Sequence, residues 1–434
     1  MLKMQIRMLS AAKALTALWL CSLIGAGLAF FTQVILAKQL GADEYGQFAS
    51  ALALVTLLTP LAGFGVAPFW LKVYGIEGWK AKRWINASLS FTGVSSLAVL
   101  AVIVLIALAV QHQSNHKIIL LSISLFALGQ AAAEMVSSKY QLEERYLFLS
   151  IWQMAPHLIR FTLIFLLSYI IPQEISATLA AICYSITALL ILSASVKPLK
   201  SLKEGNIQLK GHTYNGPTRP EKSVNLKVLA QNSWPYGIGA FAHLVYFQSN
   251  LILVKYLEGD NAAGQYSVAL TIITATYLIP TVFYQKFLLP KIHRWSVHDK
   301  LKFRSNYKRG NLIMGIFGVT AMTGIWLLGS TAINIFFGEE YKNATRILYI
   351  LAATIPLFSL ALNAGATLST QNFIAFKVKY MITVAIISVV ISIAAIHYWG
   401  TVGAAAATLV CNGILLTLYI YGAEKKVFRN LKAV

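Results

Sequence analysis

Charge is scarce in this chain. Only 12% of its 434 residues are Asp, Glu, Lys or Arg and 57% are hydrophobic, where soluble domains carry about 25% charged residues. With a mean hydropathy of +0.66, a water-soluble globule is excluded. Cysteine is scarcer: Cys21, Cys183 and Cys411 are the whole complement. All three fall in apolar runs, which fits inert packing and neither a disulfide framework nor a metal site. No GxxxxGK[ST] motif occurs, so direct ATP drive is not expected, and no cofactor is expected. No Asp-x-Asp occurs either, and the segments on one side of the apolar runs are very short. Both absences argue against a membrane glycosyltransferase or polymerase.

What is present is apolar length. A helix needs roughly 20 apolar residues to cross about 30 Å of hydrocarbon. Twelve such runs occur, at about 14–38, 46–70, 86–110, 117–138, 147–170, 174–196, 228–256, 262–285, 310–336, 345–370, 378–398 and 401–422. The first follows Lys3, Arg7 and Lys13, but its length and the lack of a small-residue cleavage site argue for a retained helix rather than a signal peptide. The expected fold is all-α and polytopic.

The basic residues set the orientation. With the amino terminus in the cytoplasm, 30 of the 36 Lys and Arg fall on inner segments, so the positive-inside rule puts both termini there. The net charge of +21 is then a topology signal before it is an attraction for anionic lipid, and nucleic acid is not an expected partner. Two inner segments mix tryptophan with basic residues, 75–84 (GIEGWKAKRW) and Lys291 to Arg309; the first reads as a helix lying at the membrane surface.

The chain repeats itself. QVILAKQLGADEYGQFASA from Gln33 is echoed by QSNLILVKYLEGDNAAGQYSVA from Gln248, with Lys38 answering Lys255 and Gly46, Gln47 and Phe48 answering Gly264, Gln265 and Tyr266. The Gly- and Pro-containing segment 197–227 divides six runs from six. The expected organisation is a six-helix bundle at 1–196, a cytoplasmic linker at 197–227 and a second bundle at 228–434. Two halves of even span number in one orientation imply a parallel repeat with a cleft between bundles near the midplane.

These residues resemble a known family. The ILAKQLGADEYGQFA turn, its echo, and FFGEEYKNATRILYILA from Phe336 are similar to the polysaccharide-transporter branch of the multidrug/oligosaccharidyl-lipid/polysaccharide exporter superfamily, the Wzx-type flippases. The resemblance covers the whole chain. It implies a V-shaped pair of six-helix bundles in the bacterial inner membrane. It also implies a substrate, an undecaprenyl-diphosphate-linked oligosaccharide turned from the cytoplasmic to the periplasmic leaflet for surface polysaccharide assembly. Membrane lipids, a polysaccharide polymerase and a chain-length regulator are the implied partners. Many relatives carry an aspartate in span seven where this chain has Asn250, so cation coupling through that acid is not expected. A cation-coupled drug antiporter of the same superfamily is the alternative, and an acid in span one or seven would favour it. Neither span has one.

Polar groups inside the spans are the candidate site. Arg160 lies near the middle of span five, where an arginine costs about 2.5–3.5 kcal/mol on insertion scales. It serves either as a cavity residue for the anionic diphosphate, a role suited to its planar donor fork, or as an internal hydrogen-bonding group. His157 shares its face at i−3, with Gln153 another turn back. Glu134, the one acid placed inside a span, sits roughly 12 Å from Arg160 in depth at 1.5 Å per residue. It reads as an interfacial partner of Lys139 or Arg145, or as a coupling site. Gln33, Gln248, Asn250 and Asn363 are expected at cavity depth with Gln130, Asn232, His243 and Asn412; each is either a sugar contact or a bridge between helices. Trp234, Tyr236, Tyr246 and Phe247 offer faces for stacking. Lys38 and Lys255 end their spans at the outer mouth, as snorkelling lysines or as a gate and late phosphate contact. Lys72, Lys286 and Lys291 flank the inner mouth, as topology determinants or first phosphate contacts. Pro235, Pro280 and Pro356 are expected kinks.

Overall fold

A computed structural model describes residues 2–109, 114–171, 175–209, 223–370 and 373–429, with the side chains of 2–15, 114, 285–287, 290, 297 and 298 outside the description. Most of the linker sequence KGHTYNGPTRPEKS, and Glu174, therefore lie outside the described residues. Fourteen α-helices account for most of the rest: α1 (Leu2–Leu58), α2 (Val66–Glu77), α3 (Ile85–Ala109), α4 (Ser114–Ile123), α5 (Phe126–Leu142), α6 (Tyr146–Ile170), α7 (Ala177–Lys203), α8 (Leu226–Glu258), α9 (Asp260–Val282), α10 (Leu289–His298), α11 (Lys300–Phe336), α12 (Ala344–Ala352), α13 (Thr354–Leu368) and α14 (Ile374–Gly422). No strand occurs among the described residues.

Nine helical stretches among the described residues are long and apolar enough to cross a membrane. Thr16–Ala109 takes in the first three predicted spans and Ile374–Val427 the last two, so the nine stretches accommodate all twelve. Predicted turns are tighter than the sequence suggests. Spans one and two are one helix interrupted at Gly41 (φ 68, ψ 174), and the last two are one helix interrupted at Gly400. Span two is broken instead lower down, by a 3-10 turn at Thr59–Leu61 with Pro60 in its first turn. Span ten is broken at Ala353, just before Pro356, where α12 gives way to α13. Pro280 precedes a π-helical turn at Phe283–Leu288, whereas Pro235 stays inside an unbroken α8.

The outward surfaces of these helices are apolar, with Val94, Leu105, Leu327 and Ile386 each more than 60% exposed. Small and polar residues such as Ser88, Ser185, Ser388, Ser392 and Asn412 are buried between helices instead. That inversion of the soluble pattern is what hydrocarbon demands, because packing and hydrogen bonds rather than apolar burial bring helices together there.

Two compact units result: Met1–Thr32 with Leu54–Phe241, and Gln33–Ala53 with Ala242–Val434. Segments 33–53 and 228–241 thus pack with the opposite unit from the one their place in the sequence suggests. The cause is close backbone approach. In the second unit a Cβ on Gly46 would stand 1.9 Å from Asp260 O, and one on Gly264 would stand 2.1 Å from Ala42 O. In the first, one on Gly65 would stand 2.4 Å from Gly237 N. Only residues without a side chain allow helices to meet so closely.

The core of the first unit gathers Phe69, Trp70, Tyr74 and Trp84 with Ile207, Leu209 and Leu229. The expected surface helix at 75–84 is a 3-10 turn, Gly78–Trp84, instead. Trp84 is buried against Phe69 with ring centroids 5.0 Å apart; its indole N–H and the Arg83 guanidinium both donate to Glu77. The core of the second unit is tyrosine-rich, with Tyr246, Tyr284, Tyr307 and Tyr419 around Met314 and Phe428.

Candidate functional site

In the first unit, α5, α6 and α7 enclose the guanidinium of Arg160. Its Nε donates to Pro156 O at 3.1 Å, and its central carbon stands 5.0 Å from the Tyr184 ring centroid and 5.4 Å from that of Phe126. Pro156 lies inside α6 and, lacking an N–H, cannot donate to the Trp152 carbonyl one turn back. One turn on, Arg160 folds back onto the Pro156 carbonyl and between two aromatic faces. The pocket is completed by Gly129, Gln130 and Ala133 of α5 and by Thr187, Ala188 and Ile191 of α7. Gly129 sets its width: a Cβ there would lie 2.7 Å from Ala188 Cα. Cation–π contact is worth about 2 kcal/mol when desolvated, and it stabilises the charge without neutralising it. Arg160 enters no ion pair among the described residues.

The other first-unit residues spread around this pocket. His157 is half-buried and faces α1, its Cδ2 lying 3.4 Å from where a Cβ on Gly25 would be. Gln153 is exposed. Glu134 makes no ion pair with Lys139 or Arg145, both of which turn to Glu143 (2.9 Å and 3.6 Å). Glu143 sits one helical turn beyond Lys139 and also receives the Gln208 N–H at 3.4 Å, so Glu143 ties Lys139 and Arg145 to the backbone at Gln208. Glu134 takes a hydrogen bond from Gln130, and Gln130 lines the arginine pocket. The two charges are thus linked through one amide. Lys72 is exposed, 5.9 Å over the ring of Tyr236.

In the second unit the duplicated turn forms a clasp. Gly41 and Gly259 share one conformation, φ 68, ψ 174 and φ 95, ψ −177, which L-residues avoid; each redirects the chain into the helix that carries Gly46 or Gly264. The single extra residue of the second copy lies before the glycine. Asp260, on the first turn of α9, pairs with Lys255 and accepts from Gln47 Nε2 at 2.9 Å. Lys38 donates to Ile335 O at 3.0 Å, Ala42 N to Glu340 Oε1 at 2.6 Å, and Tyr341 OH to Ala37 O at 2.8 Å. Gln265 both donates to Glu340 O (2.8 Å) and accepts from Ala344 N (3.0 Å). Burial, together with Tyr45, Glu340 and Asp43 nearby, raises the Tyr341 phenol far above its ordinary pKa, so it remains a donor at every physiological pH. Gln33 accepts from Tyr45 OH at 3.0 Å.

The contacts settle three candidate side chains. Lys255 is no snorkelling lysine: its side chain is fully buried against Asp260, so it is committed to the turn and unavailable for a phosphate. Asn250 is 2% exposed and bridges α8 to α14, donating to Thr408 Oγ1 at 2.6 Å and Ala404 O at 3.3 Å. Asn363, 3% exposed, bridges α13 to α11 through Asn311 Oδ1 at 2.6 Å and Tyr307 O at 3.0 Å. Of the two roles expected for these amides, sugar contact or bridge between helices, both make the bridge. Gln248 is half-buried, and the side chain of Lys286 lies outside the described residues.

Residues 11–295 match the family described as polysaccharide biosynthesis protein. The chain belongs to that family. It is 25% identical over 209 residues to a candidate O-antigen transporter of Shigella dysenteriae, a match that covers 46% of this chain and 50% of the relative. The match thus spans about half the length of that curated relative. Among solved structures it is similar to lipid II flippase MurJ in an inward closed conformation, with TM-score 0.70 and 13% identity over 94% of this chain and 87% of that one. It is likewise similar to an inward-facing MATE multidrug resistance transporter of the MOP superfamily, with TM-score 0.68 and 12% identity over 92% and 94%. At these identities the likeness is one of fold, and this polysaccharide biosynthesis protein has the fold of the MOP-superfamily transporters.

For this family member, sequence reasoning singled out Arg160 but not its cage. Phe126 and Tyr184 sit in different helices, and only their spacing from an arginine in a third makes them a cation site. Glu340 and Tyr341 lay inside a quoted motif, and their role in the clasp could have been suspected from two acids so close to the duplicated turn's backbone donors.

Proposed function

We propose that this protein moves an undecaprenyl-diphosphate-linked oligosaccharide repeat unit from the cytoplasmic to the periplasmic leaflet by alternating access. The observation that carries the reading is Arg160: a permanent cation held at membrane depth by aromatic faces and a carbonyl, with no carboxylate paired to it among the described residues, in a member of a polysaccharide biosynthesis family. A charge so placed is complementary to an anion that arrives and leaves, because a resident acid would abolish its attraction for phosphate. The two bundles keep their division at residues 197–227 in this reading, with both termini cytoplasmic in a bacterial inner membrane. The duplicated turn then forms the periplasmic gate. Lys38 and Lys72, both exposed, are the lysines that this reading assigns to the phosphate at the two mouths. Glu134, tied to the arginine pocket through Gln130, is the site at which an ion gradient would act. No chemical step is assigned to the chain; a polymerase and a chain-length regulator receive its product.

Deletion of the gene tests the proposal. Surface polysaccharide should be lost, with lipid-linked repeat units accumulating on the cytoplasmic side and both restored by the wild-type gene. Normal polymer in the deletion strain refutes it. The antiporter alternative rests on the shared fold and would need an acid in span one or seven, where this chain has Gln33 and Asn250. Drug efflux from proteoliposomes without any flipping would establish it. Flipping that persists after ion gradients are collapsed would remove Glu134 as a coupling site.

A further inference from the structure

The second unit holds a cation that the functional reading does not use. Lys377, on the first turn of α14, is half-buried, and its Nζ donates to Ser369 Oγ at 2.9 Å. That hydroxyl passes its own proton to Gly365 O at 2.9 Å. An ammonium has three donors and no acceptor, so Ser369 takes one and leaves two. Lys377 enters no ion pair among the described residues. His243 of α8, with an exposed ring stacked 6.2 Å from Phe247, lies within its Coulomb reach.

One buried phenol adjoins this lysine, and a second lies near the first. A Cβ on Gly365 would stand 2.9 Å from Tyr419 Cε2 and 3.6 Å from Lys377 Cε, so the tyrosine ring and the lysine stem share one contact. Tyr419 and Tyr246, within electrostatic reach of each other, are 3% and 6% exposed, and neither hydroxyl has a hydrogen-bond partner among the described residues. Buried hydroxyls are normally satisfied. A cation with spare donors, its stem close to the ring of an unsatisfied phenol and no carboxylate paired with it among the described residues, has the composition of an oxyanion site. Glu424, in the turn after α14, lies within electrostatic reach of Tyr307 and forms no ion pair with Lys377.

We propose that Lys377, with His243 at its rim and the Tyr419 hydroxyl behind it, is an anion site within the second unit that takes a phosphate or diphosphate ester. That the ester is the diphosphate of a lipid-linked glycan rests on the functional reading above; the site itself does not. Its sequence signal was hidden, since Lys377 counts among the inner-segment basic residues that any polytopic protein carries.

The test uses the full-length protein in phosphatidylcholine nanodiscs and farnesyl diphosphate as probe, with farnesol as the uncharged control. Wild type should bind the diphosphate saturably, and Lys377→Gln should bind it about tenfold or more weakly, as expected for the loss of one charged hydrogen bond. Lys377→Arg should keep most of the affinity, Tyr419→Phe should weaken it, and farnesol should not distinguish the variants. Thermal unfolding certifies that each variant is folded; Tyr419→Phe carries the test alone if Lys377→Gln is not. Equal diphosphate affinity in wild type and folded variants overturns the site. Displacement of the probe by stoichiometric phosphatidylglycerol overturns its assignment to a diphosphate ester and makes Lys377 a lipid head-group contact. If the deletion strain makes normal polymer while Lys377 still governs diphosphate binding, the functional reading falls and the site stands. If polymer is lost on deletion and fully restored by Lys377→Gln with unchanged binding, the site falls alone.

Discussion

Replacing Gly46 with alanine attacks the clasp at its tightest point. The new Cβ would stand 1.9 Å from Asp260 O, so α9 and the second half of α1 must part by about 1.5 Å to reach ordinary contact. The Gln47–Asp260 hydrogen bond, now 2.9 Å, would not survive that separation. Overpacking costs about 1–3 kcal/mol and a hydrogen bond to a charged group about 1.5–3 kcal/mol, so a loss of at least about 2 kcal/mol is expected. A bias of about 2 kcal/mol moves a two-state equilibrium roughly thirtyfold. Gly264→Ala meets Ala42 O at 2.1 Å across the same contact. The double variant should therefore cost little more than either single one, because the first substitution has already separated the helices. Two assays read this: thermal unfolding of the purified protein, and labelling of a cysteine placed at Ser267 by an impermeant thiol reagent, with Cys21, Cys183 and Cys411 replaced. Ser267 is buried beneath the clasp and donates to Tyr45 OH. Gly27→Ala, with nothing within 4 Å, is the control. Additive losses in the double variant, or Ser267→Cys labelling unchanged by Gly46→Ala, would refute the account.

Other outcomes follow from the same contacts. Arg160→Gln should leave folding intact, since it removes an uncompensated charge, but should cut surface polysaccharide in the complemented deletion strain at least tenfold. Tyr184→Leu should weaken transport less, by the roughly 2 kcal/mol of a desolvated cation–π contact; full transport in Arg160→Gln would dismiss the pocket. Lys139 and Glu143 are 5% and 2% exposed in their side chains, so Lys139→Met or Glu143→Gln should each cost about 3–5 kcal/mol in unfolding measurements. The double variant should recover part of that. Asn250→Asp should lower unfolding stability by about 1–3 kcal/mol, because it sets a carboxylate against the Ala404 carbonyl that now receives an amide donor at 3.3 Å. A stabilised Asn250→Asp protein would mean that the bridge is not made.

How far the sequence could be read depended on the range of the forces involved. Apolar length is local, so each of the twelve spans could be placed from its own residues, and the charge that borders them is local too. Duplication was also legible, because Gly41 and Gly259 must each take a conformation other residues avoid. The kink at Pro356 was foreseeable for the same reason, since a missing N–H acts within its own turn. The roles of Asn250, Asn363 and Lys255 stayed open because a polar group in a span can turn to a cavity or to a neighbouring helix, and its own helix does not say which. Thr408, Asn311 and Asp260 settled the choice, and two of these three partners lie on different elements far along the chain.

By itself, then, the sequence determined that this chain crosses a membrane, that it does so twelve times in two related halves, and that Arg160 is costly where it stands. Hydrocarbon enforces those conclusions residue by residue. Only the tertiary structure decided that Phe126 and Tyr184 cage that arginine, that Lys377 adjoins the unsatisfied phenol of Tyr419, and that segment 33–53 packs with the second unit. Each of these depends on two backbones approaching closely at glycines or small residues, and closeness in space leaves no trace in spacing along the chain.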